Sequence, residues 1–260
     1  MATPGELTIA ASAVPARRRF VAFHKYDRNF FLIFLLICWV GVLLGFVPPA
    51  IQRFTGHARY VAPLILKVHA IAFSSWLLLL TAQILLVRSR NTALHMKLGV
   101  VGVALVPVMA VSAYLSEVYT QRWHLANPPD NYPFFIVPIL WASTFAVLAT
   151  AALAVRRNPA AHKRLILLAT TVIVGAAYGR WFGDALTRWF GDGLGGMLIN
   201  TYAPANLIIV GALGYDLWTR GRLHKVYETA VPAIFLTEIA STLIYHSPHW
   251  PPVAAFLVSH

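Results

Sequence analysis

VAPLILKVHAIAFSSWLLLLTAQILLV, residues 61–87, decides the fold. A run of 27 residues with so little charge exceeds the roughly 20 residues that one helical membrane crossing needs. It is not a plain anchor, because Lys67, His69, Ser74, Ser75, Trp76, Thr81 and Gln83 interrupt it. At helical spacing His69, Phe73, Trp76, Leu80 and Gln83 fall on one stripe. A histidine above a glutamine is costly against hydrocarbon, so this stripe is expected to face the inside of a bundle.

Working outward, the same pattern recurs. Apolar runs at 29–47, 98–115, 134–155, 165–182, 201–218 and 229–245 complete a set of seven. The expected fold is all-α: a polytopic membrane protein with one leading helix and three helical hairpins. Residues 1–28 form a basic head, 29–247 the transmembrane domain, and 248–260 a tail whose apolar piece is too short to cross and should lie at the interface. The run at 29–47 reads as an uncleaved first span that ends at Pro48-Pro49.

Composition agrees. The 260 residues are 58% hydrophobic and 12% charged, with a mean hydropathy of +0.66. The net charge of +12 does not imply nucleic acid, because the basic residues sit in short loops between apolar runs. Fifteen of the 21 lysines and arginines, Arg17-Arg18-Arg19 among them, fall in the head and in loops 88–97, 156–164 and 219–225. The positive-inside bias then predicts a cytoplasmic N-terminus and, with seven spans, a periplasmic C-terminus. The single cysteine, Cys38, excludes an intrachain disulfide and a cysteine metal cluster.

An internal echo supports this frame. Arg90-Asn91-x-x-x-His95-x-Lys97-Leu98 matches Arg157-Asn158-x-x-x-His162-x-Arg164-Leu165, and Arg220-Gly221-Arg222-Leu223-His224-Lys225 echoes both loosely.

Two sets of residues carry chemistry. His95, His162 and His224 stand at the inner mouths of three helices, and His69 lies toward the outer face. Histidines at matched depth on neighbouring helices can hold haem b or a metal ion. The competing reading gives them capping and lipid-headgroup duties. Asp216 is expected to pair with Arg220 at i+4.

The second set is polar groups in apolar runs: Lys67, Trp76, Gln83, Arg180, Asn206 and Glu238. Glu238 lies nine residues into its run, roughly 14 Å deep in a core of about 30 Å. A carboxylate at that depth must be paired, neutral or wetted. Arg180 and Lys67 are the available cations, although Lys67 points about 160° away from His69 on a helix and can snorkel.

At these residues the chain resembles a widespread group of uncharacterised bacterial inner-membrane proteins. The likeness runs through Lys67-Val68-His69-Ala70-x-x-Phe73-x-x-Trp76, His95-x-Lys97-Leu98-Gly99, Arg157-Asn158-Pro159-x-x-His162-Lys163-Arg164-Leu165, Arg180-Trp181 and Tyr215-Asp216-Leu217-x-Thr219-Arg220-Gly221-Arg222-x-His224. It covers most of the chain after residue 30. That group carries His-x-His in its second span, where this chain has Lys67-x-His69. The resemblance implies the topology and a bacterial origin. A looser analogy, resting only on histidine-bearing helices, links the chain to diheme b-type cytochromes.

Three functional readings follow. One is a haem- or metal-binding redox or sensing module of the inner membrane. Another is a small-molecule transporter or binder with a charged outer cavity. The third is an accessory subunit of a membrane complex. Membrane lipids are expected partners, with a membrane-protein partner or a second copy of the chain beside them. No hydrolase triad, phosphate-binding glycine loop or zinc-protease motif is present.

Overall fold

The computed structural model describes residues 20–127 and 131–259, and every regular element among them is helical. Arg17, Arg18 and Arg19 of the basic head, and most of segment 1–28 with them, lie outside the described residues, as does His260. The chain runs back and forth through α1 (Asp27–Phe54), α2 (Leu64–Arg88), α3 (Thr92–Ala126), α4 (Ile136–Ala154) and α5 (Pro159–Phe190). A short α6 (Leu194–Met197) and one π-helical turn (Leu198–Tyr202) lead into α7 (Ala203–Arg220). The chain closes with α8 (Lys225–Tyr245) and α9 (Trp250–Ser259).

Six helices are long and apolar enough to cross a membrane: α1 to α5, and the continuous unit Leu194–Arg220. The expected seventh, α8, has 21 residues and the length, but Lys225, Glu228 and Glu238 dilute it and it is not among the six.

α5 is the axis of the bundle. Of its most apolar stretch 61% is buried, against 22% for α2. It packs against α1 on one side and against α4 and α7 on the others. Its approach to α1 is set by Gly41 and Gly45, spaced four apart. A Cβ on Gly45 would stand 2.3 Å from the Ala177 carbonyl oxygen. Small residues at this spacing let two membrane helices touch backbone to backbone. Outward faces stay apolar and bare: Ile71, Leu78 and Leu85 of α2 are exposed, opposite the stripe of His69, Phe73, Trp76 and Leu80. The stripe faces inward as its polarity requires.

The echoed motif is a helix start. Asn91 caps α3 by accepting from the Leu94 N–H, and Asn158 caps α5 by accepting from Ala161, each at 3.2 Å. Each histidine lies one turn in. The third member differs, because His224 is itself the cap of α8, its Nδ1 accepting from Val226 N–H at 3.1 Å.

Several boundaries depart from the sequence reading. α1 passes through Pro48-Pro49 to Phe54. α3 runs 35 residues and carries Glu117, Gln121 and His124 on the helix, where a loop was expected. Polar side chains shortened the apparent span, but no backbone breaker follows Pro107 in α3. α5 continues to Phe190 for the same reason. The tail folds back as α9: Arg122 Nε donates to the Val258 carbonyl at 2.6 Å, and Trp250 Nε1 to Pro133 at 2.7 Å.

Candidate functional site

The end of the bundle where α1 begins is held by charge. Arg164 on α5 donates to both carboxylate oxygens of Asp216 on α7, and the Nε–Oδ2 distance is 2.8 Å. The two side chains are 2% and 1% exposed. Arg220 turns mainly to Asp27 of α1, at 2.8 and 2.9 Å, with Asp216 only 3.5 Å away. The expected i+4 pair is therefore the weaker contact of Asp216. Sequence spacing showed the local arginine and not the one 52 residues away. Lys163 and the Tyr215 hydroxyl complete the shell of Asp27 at 2.6 Å each. This knot ties α1, α5 and α7 together.

The four candidate histidines do not converge. His95 lies near enough to His162 to act on it electrostatically. His162 Nδ1 meets the Ala152 carbonyl at 2.9 Å, while His95 Nδ1 is buried without a hydrogen-bond partner. His224 is occupied by its cap and packs edge-on against Phe20 at 4.7 Å. Burial, with the Arg164 guanidinium after it, holds His224 below the ordinary imidazole range. His69 lies near the start of α2, so most of that helix, roughly 25–30 Å, separates it from the His95 end. Among the described residues no three histidine, cysteine or acidic side chains cluster as a metal-holding group.

The opposite end holds a different constellation, centred on Arg180 of α5. Arg180 is an exposed residue as a whole, and its guanidinium stacks over the Phe46 ring of α1 at 4.7 Å. It donates one hydrogen bond, to the Ala176 carbonyl of its own helix at 2.8 Å. Asp184, four residues on along α5, takes no hydrogen bond from it among the described residues. Glu117 of α3 and Tyr60 act on Arg180 electrostatically, and Arg180 acts in turn on His69 of α2. Glu117 accepts from the Gln121 amide, and His69 stacks on Phe73 at 4.2 Å with Nδ1 buried and unpartnered. Arg180 of α5 thus lies against Phe46 of α1 and within electrostatic reach of His69 of α2 and Glu117 of α3. Compared with known proteins, the chain matches no family model, no curated protein and no solved structure.

Among the described residues Arg180 uses one of its five N–H donors, and the planar fork that remains matches a carboxylate in shape. Glu117 missed selection from sequence because it follows the apolar run of α3 directly. Its i, i+4, i+7 register with Gln121 and His124 is the signal that marks a polar helix face there.

The other expected cavity residues sit elsewhere. Lys67 is exposed on the outer face of α2. Trp76 is buried at mid-height, its Nε1 donating to Thr170 Oγ1 at 3.1 Å. Gln83 lies against Gly99, toward the charged end. Asn206 and Glu238 hydrogen-bond each other at 2.8 Å on the α7–α8 side of the bundle. The single cavity expected around Lys67, His69, Arg180 and Glu238 is thus divided: His69 and Arg180 share one place, and Glu238 and Asn206 another.

Proposed function

We propose that this is an inner-membrane protein of a bacterium, with α8 as a seventh crossing, that binds a small carboxylate solute in its outer half. Arg180 is the anchor, Phe46 covers one face of the guanidinium, and Glu117 and His69 contact the rest of the solute. The observation that carries this reading is the Arg180 guanidinium, which among the described residues donates one hydrogen bond and lies within electrostatic reach of Glu117 and His69. A carboxylate engaging two of those donors forms the stronger, charge-assisted kind of hydrogen bond. The adjacent Glu117 favours solutes that also carry an ammonium or hydroxyl group. The bare apolar faces of α1 to α3 suit membrane lipid, and the lysines and arginines gathered at the α1-start end suit a cytoplasmic side.

The test is calorimetric titration of the purified protein with acetate, succinate and glycine as probes. Saturable heat with at least one probe, lost in Arg180→Gln, is the expected result. Heat that survives in Arg180→Gln, or none with any probe, contradicts the reading.

A second reading rests on a separate observation. His162 Nδ1 engages a backbone carbonyl, the support that orients a ligating imidazole and leaves its Nε2 available. His95 and His162 together would hold a metal ion or haem b, which would supply redox chemistry when bound, while the chain would fix the rings. A Soret band or bound metal lost in His95→Ala and His162→Ala supports it; a colourless, metal-free protein from haem-replete cells contradicts it.

A further inference from the structure

The pocket around Glu238 is separate from the Arg180 cleft and has a chemistry of its own. Glu238 accepts one hydrogen bond, from Asn206 Nδ2 at 2.8 Å. Among the described residues no cation acts on it, and apart from burial Asn206 is its main influence. A carboxylate so placed is held neutral, or its charge is met by something mobile. Two small hollows of about 10 Å³ each flank it, sharing Trp141, Val172, Tyr202 and Glu238 among their walls. A volume of that order admits about one water molecule.

Two further groups point to such an occupant. Ser241 lines one hollow and Tyr202 lines both, and the Tyr202 hydroxyl has the Ser241 and Thr242 hydroxyls for neighbours, although neither Tyr202 nor Ser241 makes a hydrogen bond of good geometry and the side chains are 1% (Ser241) and 3% (Tyr202) exposed. Buried hydroxyls that meet only one another at poor geometry are rare in folded proteins, and a bound water is the usual remedy. Tyr202 ends the π-helical turn Leu198–Tyr202, a departure from regular helix of the kind that concentrates at functional sites. The surroundings are otherwise free of acids and bases. α4 presents Trp141 and Thr144, α5 presents Thr171 and Val172, and α6 and α9 contain no titratable side chain. Among the described residues that line the two hollows Tyr202 is the one titratable group besides Glu238, which acts on it electrostatically.

We infer that Glu238 is a proton-binding site, loaded and unloaded through waters that Tyr202 and Ser241 hold in the two hollows. In the loading step a carboxylate lone pair of Glu238 forms an O–H bond with a proton of hydronium. The O–H bond that breaks leaves neutral water behind. Asn206 stays bonded to the other oxygen and fixes the carboxyl plane. The inference does not depend on the Arg180 cleft, since it needs no solute.

The experiment is infrared difference spectroscopy of the purified protein on a pH jump, with no solute present. The expected result is a protonated-carboxyl C=O band that grows on acidification and is missing in Glu238→Gln. In Tyr202→Phe the band persists but shifts, because its water partner has changed. Glu238→Asp serves as a second variant, and there the band must move to a new frequency. A band unchanged in Glu238→Gln and Glu238→Asp overturns the inference. So does a band that responds to sodium at constant pH and not to acid, which would make the hollows a cation site.

Discussion

Arg164 and Asp216 form a two-pronged ion pair between α5 and α7, with Nε to Oδ2 at 2.8 Å and both side chains almost sealed from solvent. Such a pair is costly to break by halves, since the survivor is a buried charge without compensation. Asp216→Ala should therefore destabilise the bundle by about 3–5 kcal/mol, read as a large drop in the thermal midpoint in detergent. Replacing both partners, as Arg164→Met with Asp216→Leu, should recover much of that loss. A double variant no better than Asp216→Ala would show that the pair's worth lies elsewhere.

The α1–α5 contact makes a steric prediction. Gly45 has no room for a Cβ, because the Ala177 backbone stands in its place. Gly45→Val should force the helices apart and lower the thermal midpoint. Gly183→Val, on an open stretch of the same α5, should leave it nearly unchanged. Equal effects would contradict the close approach.

His224 predicts a pH dependence. Its pKa in the folded chain is pushed down by burial and by Arg164, whereas an unfolded imidazole protonates near about 6.5. The unfolded chain therefore takes up the proton first, and stability falls as pH drops below that value. Protonation also removes the Nδ1 lone pair that caps α8. His224→Asn keeps a capping acceptor without the titration, so its thermal midpoint should decline less between pH 7 and pH 5. A wild-type decline that His224→Asn leaves untouched would contradict this role.

The sequence carried the architecture because apolar periodicity and N-cap chemistry are local. The stripe of His69, Phe73 and Trp76, and the matched caps Asn91 and Asn158, are legible without a structure. Helix ends were less so. Glu117 and Gln121 read as loop because membrane hydropathy ends before the helix does. Pairing across the bundle was hidden altogether. Nothing in the spacing of Arg164 and Asp216, 52 residues apart, selects them over Asp216 and Arg220 four apart. The division of Arg180 from Glu238 was hidden for the same reason, because it depends on which side of α5 each neighbouring helix packs.

The central claim is that Arg180 lines a wet cleft open to the outer face, and cysteine labelling tests it most directly. Cys38 is fully buried, so the wild-type chain gives little background. Arg180→Cys in intact cells should react with a membrane-impermeant maleimide added outside, and succinate or glycine should leave that reaction unchanged, because the anchor that holds them is gone. An Arg180→Cys chain that stays unlabelled from outside, or is labelled only in inverted vesicles, would contradict the account.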